Sequence, residues 1–332
     1  MPPSKDHHTG DPGTDERLPR PRIGVSSCLL GESVRFDGGH KHNSYITQTL
    51  GQFFDFEPLC PEVAIGLDIP RPPIRLVGEP DDPRAVGVKD PTLDVTEALR
   101  DYGERMAGEL GHISGYIFKR ASPSCGMERV KVYDEDGGMP DNSGRGIYAR
   151  AIMQALPLLP TEEEGRLNDP VLRENFVERV YVYRRWQDIT AEGLSPRALV
   201  DFHTEHKYLV MTRGHNHYQS LGRLVAEAGR GDIQALGERY IRELMATLSR
   251  RATRKRHSNV LMHLMGYLKK HLDGADKQEL LELIEAYRRG RVPLVVPLTM
   301  LRHHLRRFPN PYLLRQYYLR PHPEELMLRN EI

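Results

Sequence analysis

The chain has 332 residues, 39% hydrophobic and 28% charged, with a formal net charge of +1. That length allows two domains with a sizeable core, and the composition is that of an ordinary globular protein. No apolar run of about 18 residues or more occurs, which excludes a transmembrane helix. The near-zero charge conceals a strong asymmetry. Residues 1–195 carry 23 Lys+Arg against 32 Asp+Glu, a balance of −9, whereas residues 196–332 carry 24 against 14, a balance of +10. Charge segregated in this way points to nucleic-acid or membrane contact by the basic half.

Residues 1–21 are polar and rich in Pro and Gly, without the apolar stretch of a signal peptide, and are expected to be a disordered leader. Ile23–Ser27 reads as a short buried strand that runs into a turn at Gly31 and ends beside Cys28. Tyr45–Phe54 suits a helix, and Phe56–Cys60 a second strand. Ile69–Gly78 holds three prolines within five residues, which predicts a rigid loop and argues against a central strand. A helix is expected from Thr96, with Leu99, Tyr102, Met106 and Leu110 on its apolar stripe. Gly115–Lys119 is the next strand, Asp134–Gly138 a turn, and Gly146–Leu156 a helix stopped by Pro157. Strands alternating with helices predict an α/β, Rossmann-like, mostly parallel sheet over residues 22–160. Residues 161–195 form a helical connection.

From Ser195-Pro196 onward the chain reads as an all-helical domain over 196–332, with helices at 198–212, 218–227, 232–249, 260–272, 277–289 and 298–308. Asp276-Lys-Gln-Glu279 has the form of a capping box, and Gly290 of a C-cap.

The three cysteines, Cys28, Cys60 and Cys125, each follow a strand-like run and sit beside Pro or Gly. An odd number of cysteines in a chain of this size argues for a reducing, cytoplasmic setting. Their spacing matches neither paired zinc-finger ligands nor a Cys-x-x-Cys redox pair. Three thiols delivered to the carboxyl ends of sheet strands would converge on one site. Soft thiolates select zinc, copper(I) or iron–sulfur clusters, and three of them on a four-iron cluster would leave one iron open. Three unrelated buried cysteines are the alternative.

Ser27-Cys-Leu-Leu-Gly31 with Val34-Arg-Phe-Asp-Gly-Gly39, Cys60-Pro-Glu62, Pro70-Arg-Pro-Pro73, and Lys119-x-x-Ser122-Pro-Ser-Cys125-Gly126 together resemble the thiouracil desulfurase family. The resemblance spans roughly residues 22–160. The remainder resembles a helical domain of unknown function, and the fused arrangement is similar to that of tRNA 4-thiouridine desulfidases. This resemblance implies a [4Fe–4S] cluster on Cys28, Cys60 and Cys125 with one open iron, and non-redox hydrolysis of a C–S bond. A glutamate near the second cysteine and a serine upstream of the third would then act in catalysis. Glu57 and Glu62 flank Cys60, and Ser114 lies 11 residues before Cys125. Lys119, Ser122 and Ser124 add donors for a bound pyrimidine.

In the basic half, Arg250, Arg251, Arg254, Lys255 and Arg256 are packed into seven residues. Arg302, Arg306 and Arg307 lie on an amphipathic helix. Lys269-Lys270, Arg288-Arg289 and Arg315 beside Tyr317 and Tyr318 extend the basic surface, which suits phosphate contacts and base stacking. His203-x-x-His206 and His215-x-His217 lack a completing carboxylate or thiol and are expected as surface or RNA-facing residues rather than metal ligands. The expected function is cytoplasmic desulfuration of thiolated uridine in tRNA, with 4-thiouridine as the expected base. Two alternatives stay open: the same chemistry on free thiouracil with a dimerisation domain, and a nucleic-acid-binding regulator with a sensing cluster or structural zinc.

Overall fold

The computed structural model describes residues 20–134 and 139–330; the expected leader falls almost wholly outside the described residues. Two four-stranded sheets form the first half. Sheet A comprises β1 (Arg22–Ser26), β2 (Asp55–Leu59), β5 (Gly115–Phe118) and β8 (Thr161–Glu163) in the order β2-β1-β5-β8, all parallel. Sheet B comprises β3 (Ile74–Val77), β4 (Arg84–Gly87), β6 (Val130–Tyr133) and β7 (Asp141–Gly144) in the order β4-β3-β6-β7. Only β3 and β6 are parallel there. The segment expected as a rigid loop therefore holds an internal strand. Its three prolines all precede Ile74, so none removes a donor from the ladder, and the loop character is confined to residues 69–73.

Both faces of sheet A are covered, as an all-parallel sheet requires. Ile23, Val25 and Ile117 point to one face and pack on Phe176, Val177 and Val180 of α4 (Pro170–Thr190). Tyr116 and Phe118, one residue out of phase, point to the other. There they meet Tyr102 and Met106 of α2 (Thr96–Glu109) and Tyr148 and Ile152 of α3 (Ile147–Ala155). A one-turn helix, α1 (Pro61–Ala64), follows β2. Tyr45–Gln52, expected as an α-helix, is wound as one π turn and one 3₁₀ turn.

The second half is helical: α5 (Pro196–Met211), α6 (His215–Val225), α7 (Ile233–Leu248), α8 (Arg254–Leu268), α9 (Gly274–Arg288), α10 (Val295–Arg307) and the short α11 (Pro311–Leu314). Ser195 caps α5, its hydroxyl accepting from Ala198 N–H at 3.1 Å. Asp273, not Asp276, caps α9, accepting from the Asp276 N–H at 2.8 Å. Helix α8 starts six residues before the periodicity suggested, because Thr253 caps it through the Arg256 N–H. The basic run thus enters its first turn.

Helix α4 serves both halves. Beyond the sheet it contributes Val182 and Trp186 to the helical core beside Phe202 and Tyr240. The chain end returns the favour, with Leu326 and Leu328 packed into the cluster around Ile23 and Val25.

Candidate active site at the carboxyl ends of the strands

The order β2-β1-β5 places the three cysteine loops side by side at one end of sheet A. Cys28 lies in the 3₁₀ turn Ser27–Leu30, which closes at Gly31 with φ of +99°, a left-handed value that favours glycine. Cys60 is the N-cap of α1, and its thiol reaches the Val34 carbonyl at 3.9 Å. Cys125 sits in a loop pinned by Ser122, whose hydroxyl accepts from the Ser124 and Cys125 N–H groups at 3.2 and 3.1 Å. The start of α3 presses on this loop. A β-carbon at Gly146 would stand 2.5 Å from the Ser124 carbonyl, so only glycine fits.

All three thiols are free, and they share a field. Burial pushes Cys28 up to about 11, against the pull of Lys119 and Arg35, with Cys60 and Glu164 adding to the rise. Burial also raises Cys60 and, most of all, Cys125, where the Ser26 hydroxyl pulls the other way and Cys60, Glu62 and Cys28 add to the rise. Bare thiolates are therefore disfavoured here unless a metal takes up their charge. Among the described residues no three His, Cys, Asp or Glu side chains converge as the ligands of a single ion do.

Between the Cys60 and Cys125 loops lies a bound carboxylate. Glu62 Oε2 accepts from Arg71 Nε and Nη2 at 3.0 and 2.7 Å, and Oε1 accepts from the Ser124 hydroxyl at 2.7 Å. Arg71 is itself buried and donates to the carbonyls of Val34 and Asp68. Its fork fixes the carboxylate plane, as a bidentate guanidinium does, and leaves Oε1 facing the serine. Lys119 stands at the same end of the sheet: its N–H donates to Ser26 Oγ at 3.0 Å and its ammonium pairs with Glu164. Glu164 also accepts from the Arg120 N–H at 2.7 Å.

Two of the expected catalytic residues are not brought to this end. Ser114 precedes β5, where its N–H donates to the Arg22 carbonyl at 2.7 Å. At about 3.3 Å per strand residue it lies roughly 13 Å from the level of Ser26, and its fully buried hydroxyl donates to Gln187 at 2.7 Å. It is a latch between sheet and α4, and the serine beside Glu62 is Ser124. Glu57, midway along β2, faces the ring of His112 at 2.7 Å and so turns away from the Cys125 loop. Of the two carboxylates that flank Cys60, only Glu62 contacts the Cys125 loop. Ser26 and Glu164 were not singled out from the sequence, and Arg35 and Arg71 lie in quoted motifs but were given no role there. The Pro-Arg-Pro-Pro run was a signal for Arg71, since a tightly restricted backbone is a means of fixing one side chain.

Comparison with known proteins matches two stretches of the sequence to family models. Residues 23–164 match 2-thiouracil desulfurase, and residues 207–323 match a protein of unknown function, DUF1722. The segment 23–164 belongs to the 2-thiouracil desulfurase family. It is 31% identical over 153 residues to the uncharacterized protein YbgA of Escherichia coli (strain K12), covering 46% of this chain and 90% of that one. To the uncharacterized protein YbbK of Bacillus subtilis (strain 168) it is 29% identical over 151 residues, 44% of this chain and 97% of that one. Among solved structures, the [4Fe-4S]-dependent thiouracil desulfidase TudS shares 30% identity, covering 48% of this chain and the whole of that one, with a TM-score of 0.35.

Behind the desulfurase segment, the structure divides the basic residues. Arg250, Arg251, Arg254, Lys255 and Arg256 are all exposed at the entrance to α8, and Arg306 and Arg307 are exposed near the end of α10. Arg302 is not part of that surface: it is largely buried, donating to the Leu319 carbonyl and pairing with Glu324 at 2.7 Å. Arg288 and Arg289 both pair with Glu285, and Arg315 with Asp201 and Glu205. Tyr318 is fully buried against His257, and Tyr317 lies under Arg185, so neither offers a ring for a base. Tyr267, half-exposed and stacked on Tyr312 beside Lys207, does offer one. His203 and His206 are buried, bonded to Tyr240 Oη and the Phe202 carbonyl, and not at the surface as expected. No described helix is long and apolar enough to cross a membrane.

Proposed function

We propose that the protein is a cytoplasmic desulfidase that converts thiolated uridine in tRNA, in particular 4-thiouridine, to uridine and sulfide. The net change is hydrolysis: the C=S carbon gains oxygen from water, and sulfur leaves as hydrogen sulfide, with no electrons transferred. The donor set at the strand ends fits a [4Fe–4S] cluster on Cys28, Cys60 and Cys125. Three soft thiols are present and no fourth cysteine exists in the chain, so one iron would lack a thiolate. Their raised titration in the buried site suits thiolates whose charge is carried by metal. Lys119, Arg35 and Arg71 bring positive charge beside the two more accessible sulfurs. When bound, such a cluster supplies a Lewis-acidic iron for the thiocarbonyl sulfur.

The remaining work falls to side chains of the site. Glu62, oriented by Arg71, can receive the proton of the attacking water, directly or through the Ser124 hydroxyl that donates to it. Lys119, held by Glu164, and Ser122 can face the developing charge on the ring. The observation that carries this reading is the Arg71–Glu62–Ser124 chain, set between two of the three cysteine loops. The RNA part of the proposal draws on the exposed run Arg250–Arg256 and the Lys207–Tyr267–Tyr312 platform, which suit phosphates and an unstacked base.

The test uses anaerobically prepared full-length protein with its iron content measured. Thiolated tRNA should lose its 4-thiouridine absorbance and release one sulfide per base converted. Turnover of free thiouracil with none on thiolated tRNA would remove the RNA substrate; turnover of neither, with the cluster present, would remove the enzyme.

A further inference from the structure

A second cavity lies away from the cysteines, where α4, the turn after α5, the entrance to α8 and the chain end meet. It has a volume of about 310 Å³, the lower end of the range that holds small ligands. Six charged side chains line it: Glu174 and Glu178 from α4, Arg213, Arg251, Arg254 and Arg329. The balance is four positive charges against two negative.

The buried members are arranged so that the chain folds without a ligand yet keeps donors to spare. Glu178 pairs with Arg213, and Glu174 with Arg329 Nε at 2.9 Å. The side chains of Arg213 and Arg329 are only 3% and 5% exposed. Even so, Arg213 Nε has no hydrogen-bond partner, and Arg329 Nη2 has none closer than the Glu178 carboxylate, an ion pair at 3.9 Å. A buried donor without an acceptor costs free energy, more for a charged group. An anion in the cavity these two arginines line would supply the missing acceptors.

Helix α8 points the same way. Its first turn opens Arg254-Lys255-Arg256 and contains no acidic residue. Cations at a helix N-terminus oppose the macrodipole, an unfavourable placement in an isolated protein. With an anion at that end, both the dipole and the arginines become favourable. Arg251 and Arg254 are exposed at the cavity. Guanidinium forks match the oxygens of phosphate bidentately, and four of them exceed the charge of the resident carboxylates.

We propose that this cavity is a phosphate-binding site, taking either a backbone phosphate of RNA or the phosphate of a free small molecule. The first source would deepen the tRNA reading above and rests on it; the site itself does not. The test titrates inorganic phosphate into the full-length protein by calorimetry, with chloride holding ionic strength constant. One phosphate per chain is expected to bind saturably, and R251Q/R254Q should weaken it at least tenfold. Both positions are exposed, so the fold should be intact by circular dichroism; if it is not, R251Q alone serves, with a smaller loss. Binding no different from chloride, or equal affinity in the variant, overturns the site. In a second arm, phosphate competes against unmodified tRNA. Displacement identifies an RNA phosphate as the natural occupant, and unchanged tRNA affinity a free phosphate compound; both keep the site. Desulfuration of tRNA without phosphate binding would sink the cavity alone, and phosphate binding without desulfuration would sink the proposed reaction alone.

Discussion

Replacing Glu62 by Gln separates catalysis from scaffolding at the cysteine site. The side chains of Arg71 and Glu62 are 5% and 15% exposed, so an apolar substitution would strand a buried guanidinium at about 3–5 kcal/mol. Glutamine keeps the shape. Its amide oxygen can still accept from Arg71 and its NH₂ can donate to Ser124 Oγ, which limits the loss of stability to about 1–3 kcal/mol. What glutamine cannot do is take a proton. A general base contributes about 10²–10⁴-fold, or roughly 3–5 kcal/mol of barrier. E62Q is therefore expected to lose two to four decades of kcat with KM little changed and the cluster retained. The assay is sulfide release from 2-thiouracil under anaerobic conditions, normalised to iron content. Glu57→Gln, which disturbs only the pair with His112, is the comparison and should keep kcat within a few-fold. Wild-type kcat in E62Q at matched iron would refute the assignment. So would a loss of activity that merely tracked loss of iron, because the residue would then hold the loop and do no chemistry.

Each of Cys28→Ser, Cys60→Ser and Cys125→Ser should abolish both the brown colour and turnover, checked by visible spectrum and iron analysis, since three thiolates are the minimum set on the chain. Neutralising Arg250, Arg251, Arg254, Lys255 and Arg256 together should weaken tRNA binding and reduce its salt slope by roughly 0.7–0.9 per lost contact, measured by filter binding across a salt titration; an unchanged slope places the RNA elsewhere. Burial lowers His203 to about 4 and His322 to about 3, so both are neutral in the fold and bind protons readily only when unfolded. Their contribution is present above about pH 6.5 and is lost as pH falls toward those values, at about 2 kcal/mol each by pH 5. Denaturant unfolding at pH 7.5 and pH 5 should show that fall, and equal stability at the two would contradict it.

The strand-ending cysteines were legible because the signal is local: an apolar, strand-like run followed by a thiol, with Gly or Pro close by. Parallel pairing of β2, β1 and β5 brings the three cysteine loops to one end of the sheet. The helix-and-strand alternation gave the fold class for the same reason. What one sequence does not hold is which end of a strand a neighbouring residue reaches. Ser114 and Ser124 both lie upstream of Cys125, but β5 runs between them, and a four-residue strand puts them on opposite rims. In the basic half it is individual residues that differ. Arg302 and Arg315 read as free cations because their partners, Glu324 and Glu205, are distant in sequence and fixed by packing, whereas Arg288 and Arg289 pair with Glu285 at ordinary helical spacing. His203 and His206 fall on a helix whose buried side includes them, and a neutral imidazole bonded to Tyr240 or a carbonyl is compatible with a core.

The way the halves are joined constrains how their work can be divided. Helix α4 lays Phe176, Val177 and Val180 on the sheet that carries the cysteines, and Val182 and Trp186 in the helical core. Leu326 and Leu328 return from the chain end to the first core, and Arg329 binds Glu174 of α4. A cut near Pro196 would remove both arginines that face Glu178, a carboxylate only 2% exposed, and would uncover the Trp186 side chain. Stranding that one carboxylate costs about 3–5 kcal/mol, a large share of the roughly 5–15 kcal/mol that holds a domain together. The cysteine half is thus not expected to be a free-standing enzyme, and its loss of activity on truncation would say nothing about RNA. Substitutions on the open surface, at Arg250, Lys255 and Arg256, leave this junction untouched. They test RNA binding without disturbing the sheet, whereas the same junction that resists truncation is where the arginine-lined cavity lies, midway between the basic surface and the helix that supports the cysteine strands.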